Sequence, residues 1–203
     1  MTSSIINYCI IGIFASGKTS LVASFIKNRA SVSNESTIGA SFIVNYSELA
    51  GNNPVRLNIW DTAGQERYAM LLPMYSRNAD VIIFTIDPLN SESVEYIKKI
   101  TPIVMSASII AIHLVVTKMD NQYNDKHARE LVDDVKAFLR EFLREEDEVV
   151  VNDYYTSAIT CYNVEQPFIT NCQDIIRRKV KTNCTRVELE IKENNNNNKC
   201  NYC

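Results

Sequence analysis

GIFASGKT, residues Gly12 to Thr19, stands between the apolar run Ile6 to Ile11 and a helical pattern from Lys18 to Lys27. It fits G-x-x-x-x-G-K-[ST] in the strand, loop, helix setting that a phosphate-cradling loop requires. Gly12 and Gly17 permit the torsions that turn successive amides toward a β-phosphate, and the N-terminal end of the following helix adds positive potential. Ala15, Ser16 and Ser20 belong to the same expected set of phosphate-side contacts. Lys18 supplies a point charge for terminal phosphates, and the Thr19 hydroxyl suits Mg²⁺.

Working outward, apolar stretches alternate with helical patterns, the signature of βαβ units and a parallel sheet. The expected strands are Ile6 to Ile11, Ser41 to Tyr46, Val55 to Trp60, Val81 to Asp87, Ile109 to Thr117 and Val150 to Tyr155. Val55, Leu57 and Ile59 alternate onto one side, whereas the near-continuous Val and Ile runs are those of strands covered on both faces. Helices are expected over Lys18 to Lys27, Ser91 to Met105, Asp125 to Glu145 and Pro167 to Lys181. In the last, Phe168, Ile169, Cys172, Ile175, Ile176 and Val180 recur at helical spacing behind Pro167. The expectation is a doubly wound α/β domain over residues 1–181, a mostly parallel six-stranded sheet flanked by about five helices. Residues 182–203 include five consecutive asparagines, Asn194 to Asn198, and offer too little apolar area to offset ordering entropy, so a disordered tail is expected.

Composition bounds the function. The 203 residues are 46% hydrophobic and 22% charged, with 21 Lys plus Arg against 24 Asp plus Glu. A net charge of −3 argues against nucleic acid as the main partner, since phosphate-backbone binding wants a clustered basic face. The longest apolar run, Ile103 to Val116, is interrupted by Ser106, Ser108 and His113 and falls short of the about 20 residues a spanning helix needs. Met1 to Asn7 has no positive n-region, so folding in the cytosol is expected. Cys9, Cys161, Cys172, Cys184, Cys200 and Cys203 are thinly spread, which makes a disulfide framework improbable.

A second motif, WDTAGQERY (Trp60 to Tyr68), begins at the end of a strand, where Asp61 is placed to hold magnesium directly or through water. Gly64 brings an amide toward a γ-phosphate. Gln65 carries a donor and an acceptor on one neutral amide, the chemistry that orients an attacking water. With TIGASF (Thr37 to Phe42), RLNIW (Arg56 to Trp60) and PMYSRNAD (Pro73 to Asp80), these words make the chain resemble the Ras-like small GTPases, and within them the Rab family, over Ile5 to Lys181. TIGASF and LLPMYSR look most like the early-endosomal branch.

The resemblance implies GTP and GDP as ligands with Mg²⁺ held by Thr19, Thr37 and Asp61, the threonine joining only when the γ-phosphate is present. Loss of that contact releases the switch segments, a transition read by partners. It implies effectors gripping Ile38 to Phe42, Trp60 and Gln65 to Tyr75, with Gly39 and Tyr68 on the same surface. It implies an exchange factor, an activating protein, and prenylation and membrane-extraction partners. For Phe42 and Trp60 plain core packing stands as the alternative.

The base pocket departs from the family. In TKMD (Thr117 to Asp120), Asp120 fits the carboxylate that accepts two hydrogen bonds from guanine and the Lys118 stem can cover the ring. Thr117 replaces the usual Asn, with one hydroxyl for two amide functions, so fewer bracing bonds are expected. Thr156, Ser157 and Ala158 resemble the SAK word, with the Ala158 amide expected at the guanine carbonyl, but Ile159 replaces its Lys. The stretch Asp120 to Ser157 is longer than is usual in Ras or Rab proteins, and its Arg140 to Glu148 is expected to add a solvated helical turn. Phe14 occupies a position that is commonly Gly in Ras proteins, beside the expected γ-phosphate and the entry of an arginine finger.

KCNYC, Lys199 to Cys203, fits two lipidation patterns, a C-terminal CaaX box at Cys200 and a Rab-like cysteine pair with Cys203, with a CxxC metal or redox site as the alternative. Two chains give stable anchoring. The basic residues Arg177, Arg178, Lys179 and Lys181 are expected either to assist on an anionic leaflet or to complement a helix end. The expected function is a slow GTPase switch of vesicle traffic on the cytoplasmic face of endomembranes. A non-hydrolysing scaffold and a P-loop phosphotransferase are the alternatives.

Overall fold

A computed structural model describes residues 4–27, 39–48, 54–106, 108–120, 125–144 and 147–181. The expected sites Thr37, Ile38, Cys200 and Cys203 lie outside the described residues.

The strands are β1 (Ile5–Ile11), β2 (Ala40–Glu48), β3 (Pro54–Thr62), β4 (Val81–Ile86), β5 (Ala111–Val116) and β6 (Val150–Tyr155), in the sheet order β2-β3-β1-β4-β5-β6. β2 and β3 pair antiparallel from Ala40↔Thr62 to Glu48↔Pro54; every other neighbouring pair is parallel. That ladder carries β2 and β3 beyond the ends expected for them, because two adjacent antiparallel strands pair along their full lengths. The helices are α1 (Lys18–Lys27), α2 (Leu72–Ser76), α3 (Glu92–Val104), α4 (Asp125–Phe142), α5 (Gln166–Ile169) and α6 (172–181), with a 3₁₀ turn at Glu66–Leu71 before α2. This is the expected doubly wound sheet, with one single-turn helix, α2, that periodicity did not register.

Each face of the sheet has its own core. On one, α1, α5 and α6 cover Ile6, Tyr8 and Ile10 of β1, Leu57 and Ile59 of β3, and Val115 of β5. On the other, α2, α3 and α4 cover Cys9 and Ile11, Ile82, Phe84 and Ile86, and Ile112 and Leu114. All side chains of β4 and β5 are buried, which is why those strands lack alternation. The run Ile103 to Val116 is therefore not one buried segment. It crosses the exposed end of α3, where Ile103 is 49% accessible, and continues into β5.

The helix expected over Pro167 to Lys181 is broken. Thr170 is extended (ψ 138°) and Asn171 is left-handed (φ 62°), a conformation Asn tolerates better than most residues. The cause lies in the sheet beneath. The carbonyl of Pro167 accepts from His113 Nδ1 at 2.8 Å and that of Phe168 from the Tyr8 hydroxyl at 2.7 Å. In an unbroken helix both oxygens would serve amides four residues on. Phe168 also stacks on Phe25 with ring centroids 4.2 Å apart, pinning α5 to α1.

His113 is fully buried, its Nε2 has no partner, and burial pushes its pKa down to about 4. The unfolded chain, with an ordinary imidazole near 6.5, therefore binds more protons between those values, and stability rises with pH across that window. Full stabilisation stands above about pH 6.5 and falls by on the order of 3 kcal/mol as pH drops toward 4. Urea titrations at several pH values are expected to show this slope in the native protein and its loss in His113→Asn; parallel profiles would contradict it.

Candidate functional site

The candidate phosphate, metal and base residues within the described segments lie at or just beyond the carboxyl ends of parallel strands, where ligands of open α/β sheets bind. Residues 12–19 follow β1, 61–65 end β3 and lead onward, 117–120 follow β5, and 156–159 follow β6. β1 lies between β3 and β4, the point from which the chain proceeds in both directions across the sheet.

The phosphate loop is built closely around its lysine. Ala15 (φ 60°) and Gly17 (φ 88°) are left-handed and make the turn. A Cβ at Gly12 would collide with the Thr85 hydroxyl and stand 2.8 Å from Ser16 Oγ, so only glycine lets β4 approach. Ser16 is buried and bonds Thr85 Oγ1 at 2.7 Å. Lys18 Nζ donates to the carbonyls of Gly12 and Ile13, each at 2.9 Å. Burial lowers this ammonium to about 8, with Asp61 acting in the opposite sense. Gly64 comes so near that a Cβ there would meet Lys18 Nζ and stand 2.7 Å from Ile13 O and Phe14 N. Ser20 lies exposed on the first turn of α1.

Asp61 is 2% exposed and accepts a hydrogen bond from the Thr19 side chain, while its Oδ1 is buried without a partner. Burial raises its pKa, and the Thr19 bond and the Lys18 charge oppose that rise. An orphaned carboxylate oxygen beside a hydroxyl is the donor set a hard divalent cation takes, so Thr19 and Asp61 fit Mg²⁺. Gln65 is extended (φ −77°, ψ 137°) at the head of the 3₁₀ turn, next to Gly64. Phe14 is 51% exposed.

The base-side residues are braced more fully than expected for a threonine. Thr117 Oγ1 donates to Ser16 O at 2.8 Å and lies 3.2 Å from Ile86 O, so its single hydroxyl ties the phosphate loop to β4 and β5. Lys118 is left-handed (φ 59°), and its Nζ pairs with Asp87 Oδ2 at 2.6 Å, which fixes the stem. Asp120 is exposed, and its Oδ1 accepts from the buried Ser157 hydroxyl at 2.6 Å. Met119 N donates to Thr156 O at 3.1 Å. The Ala158 carbonyl accepts from Ser24 of α1 at 3.1 Å, whereas Ile159 is 68% exposed. Asp87, Thr85 and Ser24 escaped sequence reasoning. Asp87 at the end of an all-buried strand was the one legible signal.

Phe42, Trp60 and Tyr75 form a row of rings, with centroids 4.8 Å and 5.1 Å apart. Phe42 is half-exposed and Trp60 partly buried, so the row is neither pure core nor free surface. Met70 and Met74 stand exposed beside it in sequence. The basic residues of α6 are mostly engaged, Arg178 with Asp174, Lys179 with Asp80 and Lys181 with Glu148. The extra turn expected over Arg140 to Glu148 stops at Phe142; Arg144 N then bonds the Asp147 carboxylate and the chain turns back to β6.

The family model for the Ras family matches residues 7–177. The chain belongs to the Ras family. The resemblance to Rab proteins holds as well, since Rab-named relatives are among those it matches. It is 46% identical over 89 residues to the GTP-binding protein ypt5 of Schizosaccharomyces pombe, 47% over 91 to the Ras-related protein RHN1 of Nicotiana plumbaginifolia, and 45% over 91 to the Ras-related protein Rab5 of Nicotiana tabacum. Each match covers 44% of this chain, and 42% of the first relative and 44% of the other two, so it spans less than half of their length. The Ras-family match extends well beyond that stretch, into α6.

Replacing Thr117 by Val keeps the shape and leaves the Ser16 carbonyl without its donor. The expected loss is about 1–3 kcal/mol in urea unfolding. An unchanged midpoint would mean the hydroxyl braces nothing.

Proposed function

We propose that this Ras-family chain binds GTP and GDP with Mg²⁺, hydrolyses GTP slowly, and acts as a membrane-anchored switch in vesicle traffic. The observation carrying this reading is the meeting, at one end of the sheet, of a lysine-centred phosphate loop, the Thr19 and Asp61 pair, and the braced Asp120 and Ser157 of the base side. A guanine presents two N–H donors that one carboxylate can accept, and Asp120 is held for that by the Ser157 bond.

Hydrolysis moves a phosphoryl group to water. The water oxygen bonds to the γ-phosphorus, the bond to the β-phosphate oxygen breaks, and the products are GDP, phosphate and a proton. Gln65 orients the water; Lys18 places positive charge on the terminal phosphates. Thr19, Asp61 and, from the resemblance, Thr37 would hold a divalent cation, which would supply charge neutralisation at the phosphates. An arginine is expected from an activating protein. Effectors would take the Phe42, Trp60 and Tyr75 row with residues 38–42 and 65–75, an apolar surface that a partner can desolvate. Among the described residues no helix is long and apolar enough to cross a membrane. Anchoring is assigned to lipids on Cys200 and Cys203 at the cytoplasmic face of endomembranes, and the early-endosomal resemblance supports endosomes.

The exposed Phe14 ring favours a second reading, a persistently GTP-loaded scaffold. It stands at the loop that Gly64 and Gln65 adjoin, where an incoming arginine must pass.

Affinities for GDP, GTP and ATP, followed by single-turnover phosphate release, test both. Guanine-selective binding is expected, with release that falls about 100-fold in Gln65→Leu. Loss of guanine preference would overturn the proposal. Phe14→Gly is expected to accelerate release stimulated by an activating protein; identical rates would remove the scaffold reading.

A further inference from the structure

Ser24 has no place in the phosphate-loop motif, yet it is fully buried on α1 and its hydroxyl donates to the Ala158 carbonyl at 3.1 Å. The same oxygen lies 3.5 Å from the Cys161 sulfur. Cys161 is left-handed (φ 58°), a conformation that costs an L-residue about 1 kcal/mol and is retained only when neighbouring contacts hold it. The loop carrying both residues is closed on itself by the Ser157–Tyr162 bridge and by Thr160 N on Ser157 Oγ at 3.2 Å. Ser24 thus joins this loop to the helix that begins in the phosphate loop.

The consequence is directional. In a trans peptide the C=O and N–H groups point opposite ways. Drawing the Ala158 oxygen toward α1 turns the Ile159 N–H away from α1. Ile159 itself is exposed and brings no charge to the base, so the orientation of this backbone bears more of the recognition.

We propose that Ser24 is a positioning residue for the base-binding loop and sets how long a guanine nucleotide stays bound. The inference rests on the guanine-nucleotide reading above. It assigns to α1 a second role: its first turn addresses phosphate and its second addresses the base. Losing the hydroxyl frees the 158–159 peptide to rotate and lets Cys161 relax from its left-handed state, so nucleotide leaves sooner.

Dissociation of a fluorescent GDP from the full chain is measured in native protein, Ser24→Ala and Ser24→Cys, with Mg²⁺ and after chelation. Removing one buried hydrogen bond corresponds to a roughly fivefold faster dissociation in Ser24→Ala. Ser24→Cys, kept under reducing conditions so that it does not pair with the neighbouring Cys161, fills similar space with a weaker donor and is expected to lie between. The factor by which chelation accelerates release reports the phosphate side and is expected to stay constant across the three proteins. Unchanged dissociation in Ser24→Ala overturns the proposal. So does a collapse of the chelation factor, which would make Ser24 a general support of α1. Failure of the native chain to retain GDP at all would sink the guanine reading instead, before any variant is compared.

Discussion

A lysine ammonium folded back onto its own loop, 5% accessible, is the contact around which this molecule is organised. Lys18 is held by the carbonyls of Gly12 and Ile13 and faces the charge of buried Asp61. Burying a cation is costly unless dipoles and counter-charge surround it. The ends of three strands therefore meet there: β1 supplies the loop, β3 supplies Asp61 and leads to Gly64, and β4 supplies Thr85 against Gly12. Two glycines follow from this crowding, since side chains at Gly12 or Gly64 would occupy space already taken by Thr85 and Lys18. Thr117 then ties β5 to the same loop through Ser16.

The two faces of the sheet solve burial differently. Under α2, α3 and α4 the fully buried side chains of the cluster are mostly aliphatic, and the buried Thr101 hydroxyl is served within its own helix by Ile97 O at 2.7 Å. The face under α1, α5 and α6 contains Tyr8, His113 and Tyr154, and buried polar groups require partners. Tyr8 and His113 find theirs in the carbonyls of Phe168 and Pro167, at the expense of helix continuity. Cys172 Sγ also reaches Phe168 O, at 3.0 Å, so the carbonyl left by the break is doubly served. Pro167 and Phe168 are anchored by the sheet, and α6 restarts beyond Asn171.

The nucleotide side and the surface differ in how much freedom their residues keep. Around the loop the Ser16, Lys18 and Thr117 side chains have partners, whereas Asp61 Oδ1 is buried without one. At the β2 edge the Phe42, Trp60 and Tyr75 rings meet in tilted contacts and Phe42 keeps about half of its surface exposed. On α6 three of the four basic residues, Arg178, Lys179 and Lys181, pair with acids of the same chain.

Sequence by itself determined the strand order of chemistry: the phosphate loop after β1, DTAGQ after β3, TKMD after β5 and TSA after β6. Each is a local word whose torsions and side chains suit its task, and each sits at the end of a strand. Periodicity likewise placed α1 and β6 to the residue and α3 within one of each end. What it missed depends on atoms distant in the chain. The break at Thr170 and Asn171 is invisible because the spacing of Phe168, Cys172 and Ile175 is helical; only the carbonyl partners from β1 and β5, 160 and 54 residues away, interrupt it. Thr117 looked poorer than asparagine until its hydroxyl met Ser16 O, 101 residues away. Ser24 looked like any serine in a helix until Ala158 was brought to it. Local motifs name the chemistry, whereas pairing of buried polar groups is a long-range constraint that only the folded chain resolves.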